Sequence, residues 1–153
     1  MATLGYGSND LAIGIGVRAG KMMTDRIYLG GAFVYHLGHD VATSQVGGYT
    51  STASLSAFYL GPEVGYDFHL SPVTVRPYVG LGIIWLNATA TASGPGAPTV
   101  SADSSTNKFV IWPGATVLYP LTDSSMFVGA DLHFVSIPGG PASELFVLAG
   151  TRF

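Results

Sequence analysis

Cysteine is absent from this 153-residue chain, which excludes a disulfide-stapled scaffold and a thiolate metal site. Charge is scarce: only 10% of residues are Asp, Glu, Lys or Arg, against about a quarter in an ordinary soluble domain. A formal net charge of -3 gives no reason to expect nucleic-acid binding. Long hydrophobic runs are also missing. The longest, Val79 to Leu86 (VGLGIIWL), falls well short of the roughly 20 residues that a spanning helix needs. No leader is expected within these residues either, since Met1 runs straight into ATLGYGS, without a basic or apolar region. If the protein is exported, the sequence is therefore expected to be a mature one with an initiator Met in front.

What is present is oily and poorly suited to helix. The chain is 48% hydrophobic with a mean hydropathy of +0.41, and it carries 21 glycines and 9 prolines. Oil without a helical span leaves a deeply buried soluble β-protein or a membrane β-barrel. The length predicts a single domain, residues 1–153.

The last ten residues, ELFVLAGTRF, show the pattern that decides between the two. Side chains alternate faces along a strand, so Leu145, Val147, Ala149, Thr151 and Phe153 share one side. Glu144, Phe146, Leu148, Gly150 and Arg152 share the other, which holds both charges. This is the signature of a spanning strand, apolar towards lipid and polar or small towards a lumen. The same alternation recurs from Leu11 to Gly20, with Leu11 on the apolar side, and then over 27–37, 57–68, 73–85, 109–119 and 126–135. With the brief Thr3–Gly7 segment, this predicts eight antiparallel strands. The connections at 24–25, 71–72 and 121–124 are short. Gly38–Thr52 and Ala90–Thr106 are predicted as long polar loops, and Ile137–Ser143 as a medium one. Short turns at one end and long loops at the other is the outer-membrane arrangement. The fold expected is an all-β, eight-stranded, up-and-down transmembrane barrel with a short first strand.

Charge placement sets this apart from a soluble lipid-binding barrel, which has an apolar lumen and a charged exterior. The aliphatic face of the seven clear strands carries no ionisable residue. Arg18, His36, Glu63, Asp67, Arg76, Asp131, His133 and Arg152 all share the glycine-bearing face. An Arg on the lipid side would cost about 2–4 kcal/mol at the midplane. A hairpin at Ser71-Pro72 would set Leu70 opposite Val73 and Asp67 opposite Arg76, both pairs inside. An interior network of Glu63, Asp67 and Arg76 is predicted, joined by Arg18, Asp131, His133 and Arg152, because unpaired charge in a low dielectric is costly. Tyr28, Tyr59, Tyr78, Trp112 and Phe127 would fill the remaining lumen, leaving no open pore. Aromatic girdles are expected from Tyr66, Phe68, Tyr119 and Phe153 at the tight-turn end, and from Phe33, Tyr35, Phe58, Trp85 and Phe109 at the other. Pro62, Pro77 and Pro113 fall within strands on the lipid side, where bulges or open pairing are expected.

Other motifs carry less. Gly14-Ile15-Gly16-Val17-Arg18-Ala19 imitates a dinucleotide fingerprint, but its glycines alternate along a strand with no helix following. His36, His39 and Asp40 suggest a metal site, and His133, Ser136 and Asp131 a hydrolase. A polar lumen and solvated loops account for both, so no catalytic, metal or cofactor site is expected. Asn87-Ala88-Thr89 fits a glycosylation sequon, which has little meaning in a bacterial envelope protein.

By its strand pattern and terminal strand, the chain resembles the small bacterial outer-membrane β-barrel superfamily, typified by the OmpA transmembrane domain, OmpX and OmpW-like proteins. The terminal Phe153 resembles the assembly signal of such barrels. The resemblance implies localisation in the bacterial outer membrane and contact with its lipid and lipopolysaccharide. It further implies engagement of the barrel-assembly machinery through the last strand, and a monomer. It implies a non-enzymatic surface barrel acting through residues 38–52 and 91–106. A narrow conduit lined by Ile84, Leu118, Phe146 and Leu148 is one alternative, and a lipid A-modifying hydrolase built on His133 is another.

Overall fold

A computed structural model describes residues 1–8, 11–122, 124–137 and 140–152. The strands are β1 (Ala2–Gly7), β2 (Ala12–Met22), β3 (Ile27–Val46), β4 (Tyr49–Tyr66), β5 (Phe68–Leu70), β6 (Val73–Gly94), β7 (Ala97–Pro120), β8 (Met126–Ile137) and β9 (Gly140–Thr151). Each pairs antiparallel with its neighbours. β1 bonds to both β2 and β9, and β4 bonds to β6, which closes the sheet on itself. β5 continues the path of β4 beyond Asp67, whose amide donates to the Arg26 carbonyl at 2.7 Å instead of joining the ladder. The ring therefore has eight staves; closure removes free edges over its lower part, while β3 above His36 and β7 before Gly114 pair on one side only. Among the described residues no helix is long and apolar enough to cross a membrane.

The short turns follow the sequence. At the first, Thr24 Oγ1 accepts from the Arg26 and Ile27 amides, tying the reversal between β2 and β3. At the second, Leu70 pairs with Val73 across Ser71-Pro72. Leu70 is 57% exposed and points outward, so only Asp67 and Arg76 of the two expected inward pairs turn inside. The reason is parity: Leu70 stands three positions after Asp67, and an odd step changes face.

The two long polar stretches are not loops. β3 and β4 zip up to Val46↔Tyr49, leaving only Gly47-Gly48 to turn. Both glycines have positive φ, +59° and +83°, as a tight hairpin turn between twisted strands requires. β6 and β7 pair up to Gly94↔Ala97 around Pro95-Gly96, with Gly96 at φ +71°. Thr and Ser alternating with small residues are compatible with strand, and low hydropathy alone does not make a loop. The medium loop shrinks too, because Ile137 pairs with Gly140.

Three smaller expectations are refined. Pro62 interrupts the β4–β6 ladder, which skips from Leu60↔Ile83 to Glu63↔Gly80 without changing register. At Pro77 and Pro113 the β6–β7 ladder runs on, but pairing on their other side stops, as expected: the β4–β6 ladder ends at Gly65↔Tyr78 and the β7–β8 ladder at Gly114↔His133. Leu11, expected on the apolar outer side, is buried at 1% exposure: Ala12 takes φ +49°, which turns Leu11 over the barrel mouth.

Candidate functional site

The lumen is built by the inward parity of every stave, and its contents form layers. At the hairpin end lies an apolar layer that includes Leu11, Val34, Ala57, Ile84, Val110, Val135 and Ala142. At the turn end Leu118, Phe127 and Leu148 pack together with Met1 against them. The four residues expected to line a conduit, Ile84, Leu118, Phe146 and Leu148, are buried within these two clusters.

Between the layers runs a chain of polar groups. The Arg18 guanidinium donates to both oxygens of Asp131, at 2.8 and 3.1 Å, and to the Tyr78 hydroxyl at 2.7 Å. Its Nε lies 3.5 Å from Glu63, which also accepts from the Trp112 indole at 2.8 Å. Asp131 further accepts from the Thr116 hydroxyl at 2.6 Å and lies 2.5 Å from His133 Nδ1. On its other side, His133 Nε2 meets Glu144 at 3.0 Å and the Tyr59 hydroxyl at 2.7 Å. Glu144 ends the chain 3.3 Å from His36. Packing supports the polar links: the His133 ring stacks on Phe146 at 5.6 Å.

Asp67 and Arg76 form a separate pair nearer the turn end, with contacts of 2.5 and 2.9 Å. The Arg76 guanidinium lies 3.9 Å over the Tyr28 ring. Glu63 therefore belongs with Arg18 rather than with Arg76, a correction to the single network expected. Arg152 is a second correction: it lies beyond the end of β9, exposed, with its amide bonded to the Ser125 carbonyl at 2.9 Å. A side chain past the last ladder pair has no lumen to enter. Glu144 and His36 had the right parity; Glu144 stands opposite His133 in the β8–β9 hairpin, and closure through β1 and β9 brings His36 to Glu144.

The outer face carries the aromatics. Phe58 stacks on Trp85 at 4.8 Å, and Phe33 lies 6.1 Å from Phe58, with Tyr35 paired to Phe58 on the neighbouring strand. At the turn end Tyr66 and Phe68 are 5.0 Å apart, Tyr119 is exposed, and Arg26 donates to the Tyr66 hydroxyl at 3.1 Å. Phe153 lies outside the described residues. Lys21, beyond the expected end of its strand, sits on the outer face near this end.

Neither of the other motifs assembles. His133 is buried while Ser136, three residues on, is exposed on the opposite face, so the two cannot act on one substrate. His36 points into the lumen, whereas register shifts at His36/His39 and Asp40/Ala42 carry Asp40 to the exterior. Among the described residues no group of three potential ligands can hold a metal.

Comparison with known proteins agrees with the architecture. Residues 2–143 match the family described as "Outer membrane protein beta-barrel domain". No curated protein matches the sequence. Among solved structures, Neisserial surface protein A is similar over 99% of this chain and 93% of its own, at 17% identity and TM-score 0.61. Ail, the attachment invasion locus protein of Yersinia pestis, is similar over 99% and 93%, at 13% identity and TM-score 0.54. Ail has also been solved in complex with the heparin analogue sucrose octasulfate. The N-terminal β-barrel domain of Pseudomonas aeruginosa OprF is similar over 97% and 93%, at 21% identity and TM-score 0.51.

Proposed function

The chain belongs to the outer-membrane protein β-barrel domain family, and on that premise we propose that it is a non-enzymatic surface barrel, closed along its axis, that meets its surroundings through its two tall hairpins. The protein resides in the bacterial outer membrane, and its apolar outer face is the lipid-facing surface. The closed lumen is carried by one observation: apolar, polar and apolar layers of buried side chains follow one another from mouth to base. An eight-stranded ring is just wide enough for such a filling. The polar chain then acts as an internal brace, holding β2, β4, β6, β7, β8 and β9 in one register.

The hairpins β3–β4 and β6–β7 stand above the upper aromatic cluster and are the parts that reach furthest. Their composition bears on what they meet. No Lys or Arg occurs from residue 27 to 75 or from 87 to 107. A sulfated polyanion such as the one bound to Ail would find no cation there. Lipid and lipopolysaccharide around the barrel, assembly machinery at the last strand, and a monomeric state complete the reading. The ring closes through β1 and β9, and that closure supports the monomer.

Planar-bilayer recording of the refolded protein tests this. The expected result is no stable unitary conductance. Reproducible current steps would overturn the closed lumen and favour a conduit.

A further inference from the structure

The two faces of the tall hairpins are not alike. On β4 and β6 the outward pairs Phe58↔Trp85 and Leu60↔Ile83 belong to the lipid-facing belt. Higher on the same face the pairs become Ser54↔Thr89, Thr52↔Thr91 and Thr50↔Ser93. β3 and β7 extend these rows, with Thr43 opposite Thr52 and Ser101 opposite Thr91. The inward parity continues the apolar upper lumen with Ala53, Ala88, Ala90, Ala92 and Val100, among which stand Ser51 and Ser104. The outward face of continuous strands therefore changes from apolar to hydroxyl-bearing at the Ser56↔Asn87 pair.

We propose that this outward hydroxyl face is a contact surface for the uncharged sugars of the glycolipid that encircles the barrel. The inference rests on the outer-membrane reading above and on the hairpins pointing away from the cell. Three observations carry it. First, the face is continuous with the lipid-facing belt. Thr50 lies eight residues above Phe58 on β4, about 26 Å of strand, so the layer beside it is the one immediately beyond the acyl chains. Second, its chemistry matches sugar hydroxyls. The rows present donors and acceptors at strand spacing, about 4.8 Å across and about 6.6 Å along. Threonine is stiff at χ1, so the hydroxyls are held in place and ordering them on contact costs little. Third, the charges on this face, Asp40 and Asp103, are both negative, and the Thr89 hydroxyl already donates to Asp103 at 2.8 Å. Lys108 has the inward parity, paired with Ile84. Phosphate or sulfate would meet no cation here, whereas neutral hydroxyls can donate to the carboxylates and exchange bonds with the Thr and Ser rows.

Because the chain has no cysteine, single labels are unambiguous. Thr91→Cys places a nitroxide on the outward face, and Ala92→Cys places one at the same height on the inward face. Accessibility to a water-soluble nickel chelate is measured in vesicles of phospholipid alone and of phospholipid with lipopolysaccharide. Ser54→Cys replaces Thr91→Cys if the latter does not refold, as judged by gel mobility before and after boiling. Lipopolysaccharide is expected to lower accessibility of the outward label several-fold and leave the inward one unchanged. No change at the outward label, or an equal fall at both, overturns the proposal. Equal protection by delipidated polysaccharide added to phospholipid vesicles overturns the membrane-anchored source. Loss of protection in high salt overturns the uncharged chemistry. A conducting barrel would refute the closed lumen without altering this comparison, so the two failures are distinguishable.

Discussion

Arg18 on β2 and Asp131 on β8 face each other across the lumen, and the guanidinium binds both carboxylate oxygens, at 2.8 and 3.1 Å. The pair joins staves that share no ladder, since β1 and β9 lie between them. Both groups are buried, with Arg18 at 3% exposure and Asp131 at 1%. Removing the cation strands Asp131 and Glu63 without their main positive neighbour. Arg18→Ala is therefore expected to lose about 3–5 kcal/mol. Arg18→Lys keeps the charge but loses the fork geometry, and should fall between the two. Urea unfolding in vesicles, followed by tryptophan fluorescence, reads both; an Arg18→Ala variant as stable as the parent would refute the brace.

Gly80 pairs with Trp112 across β6 and β7, and the indole lies over the place a Cβ at Gly80 would occupy. Trp112 is fully buried and held by its bond to Glu63, so it cannot swing aside. Gly80→Ala should cost about 1–3 kcal/mol by overpacking. The same substitution at Gly31, whose nearest neighbour would be the Gly61 carbonyl oxygen at 3.4 Å, should cost less. Midpoint shifts in the same urea assay rank them.

The change along the outward face gives a paired prediction. Val79 faces outward midway along its stave, opposite Val64 and Pro113. Val79→Arg should destabilise the barrel by about 2–4 kcal/mol. Thr91→Arg has the same parity but stands on the hairpin, and in phospholipid vesicles should change stability by no more than about 0.5 kcal/mol. Equal penalties at the two sites would place the hairpins within the bilayer.

His133 is expected to act in stability rather than in chemistry. It bridges Asp131 and Glu144 from within the lumen, while Ser136 faces the exterior. The parent protein should release no fatty acid from lipopolysaccharide, and His133→Ala should lower the unfolding midpoint. Fatty-acid release that vanishes in His133→Ala while the fold survives would establish the hydrolase instead.

The sequence by itself determined the sidedness of this protein. A period of two, with aliphatics on one parity and charges on the other, places Arg18, Glu63, Asp67, Arg76, Asp131 and His133 on one face however the strands are later arranged, because side chains on a strand alternate strictly. It also located the tight turns and the short first strand. The tertiary structure decided what parity cannot: which stave stands across from which. The curved wall set Glu63 beside Arg18, closure through β1 and β9 brought His36 to Glu144, and Arg152 fell outside because the ladder ends one residue before it. Strand length was likewise decided by pairing. The Thr- and Ser-rich stretches look like loops when each is taken alone, since a polar strand without a partner has nothing to satisfy its backbone. Paired across four staves, their amides and carbonyls bond to one another, and the barrel wall continues upward as a sheet whose outer face is polar.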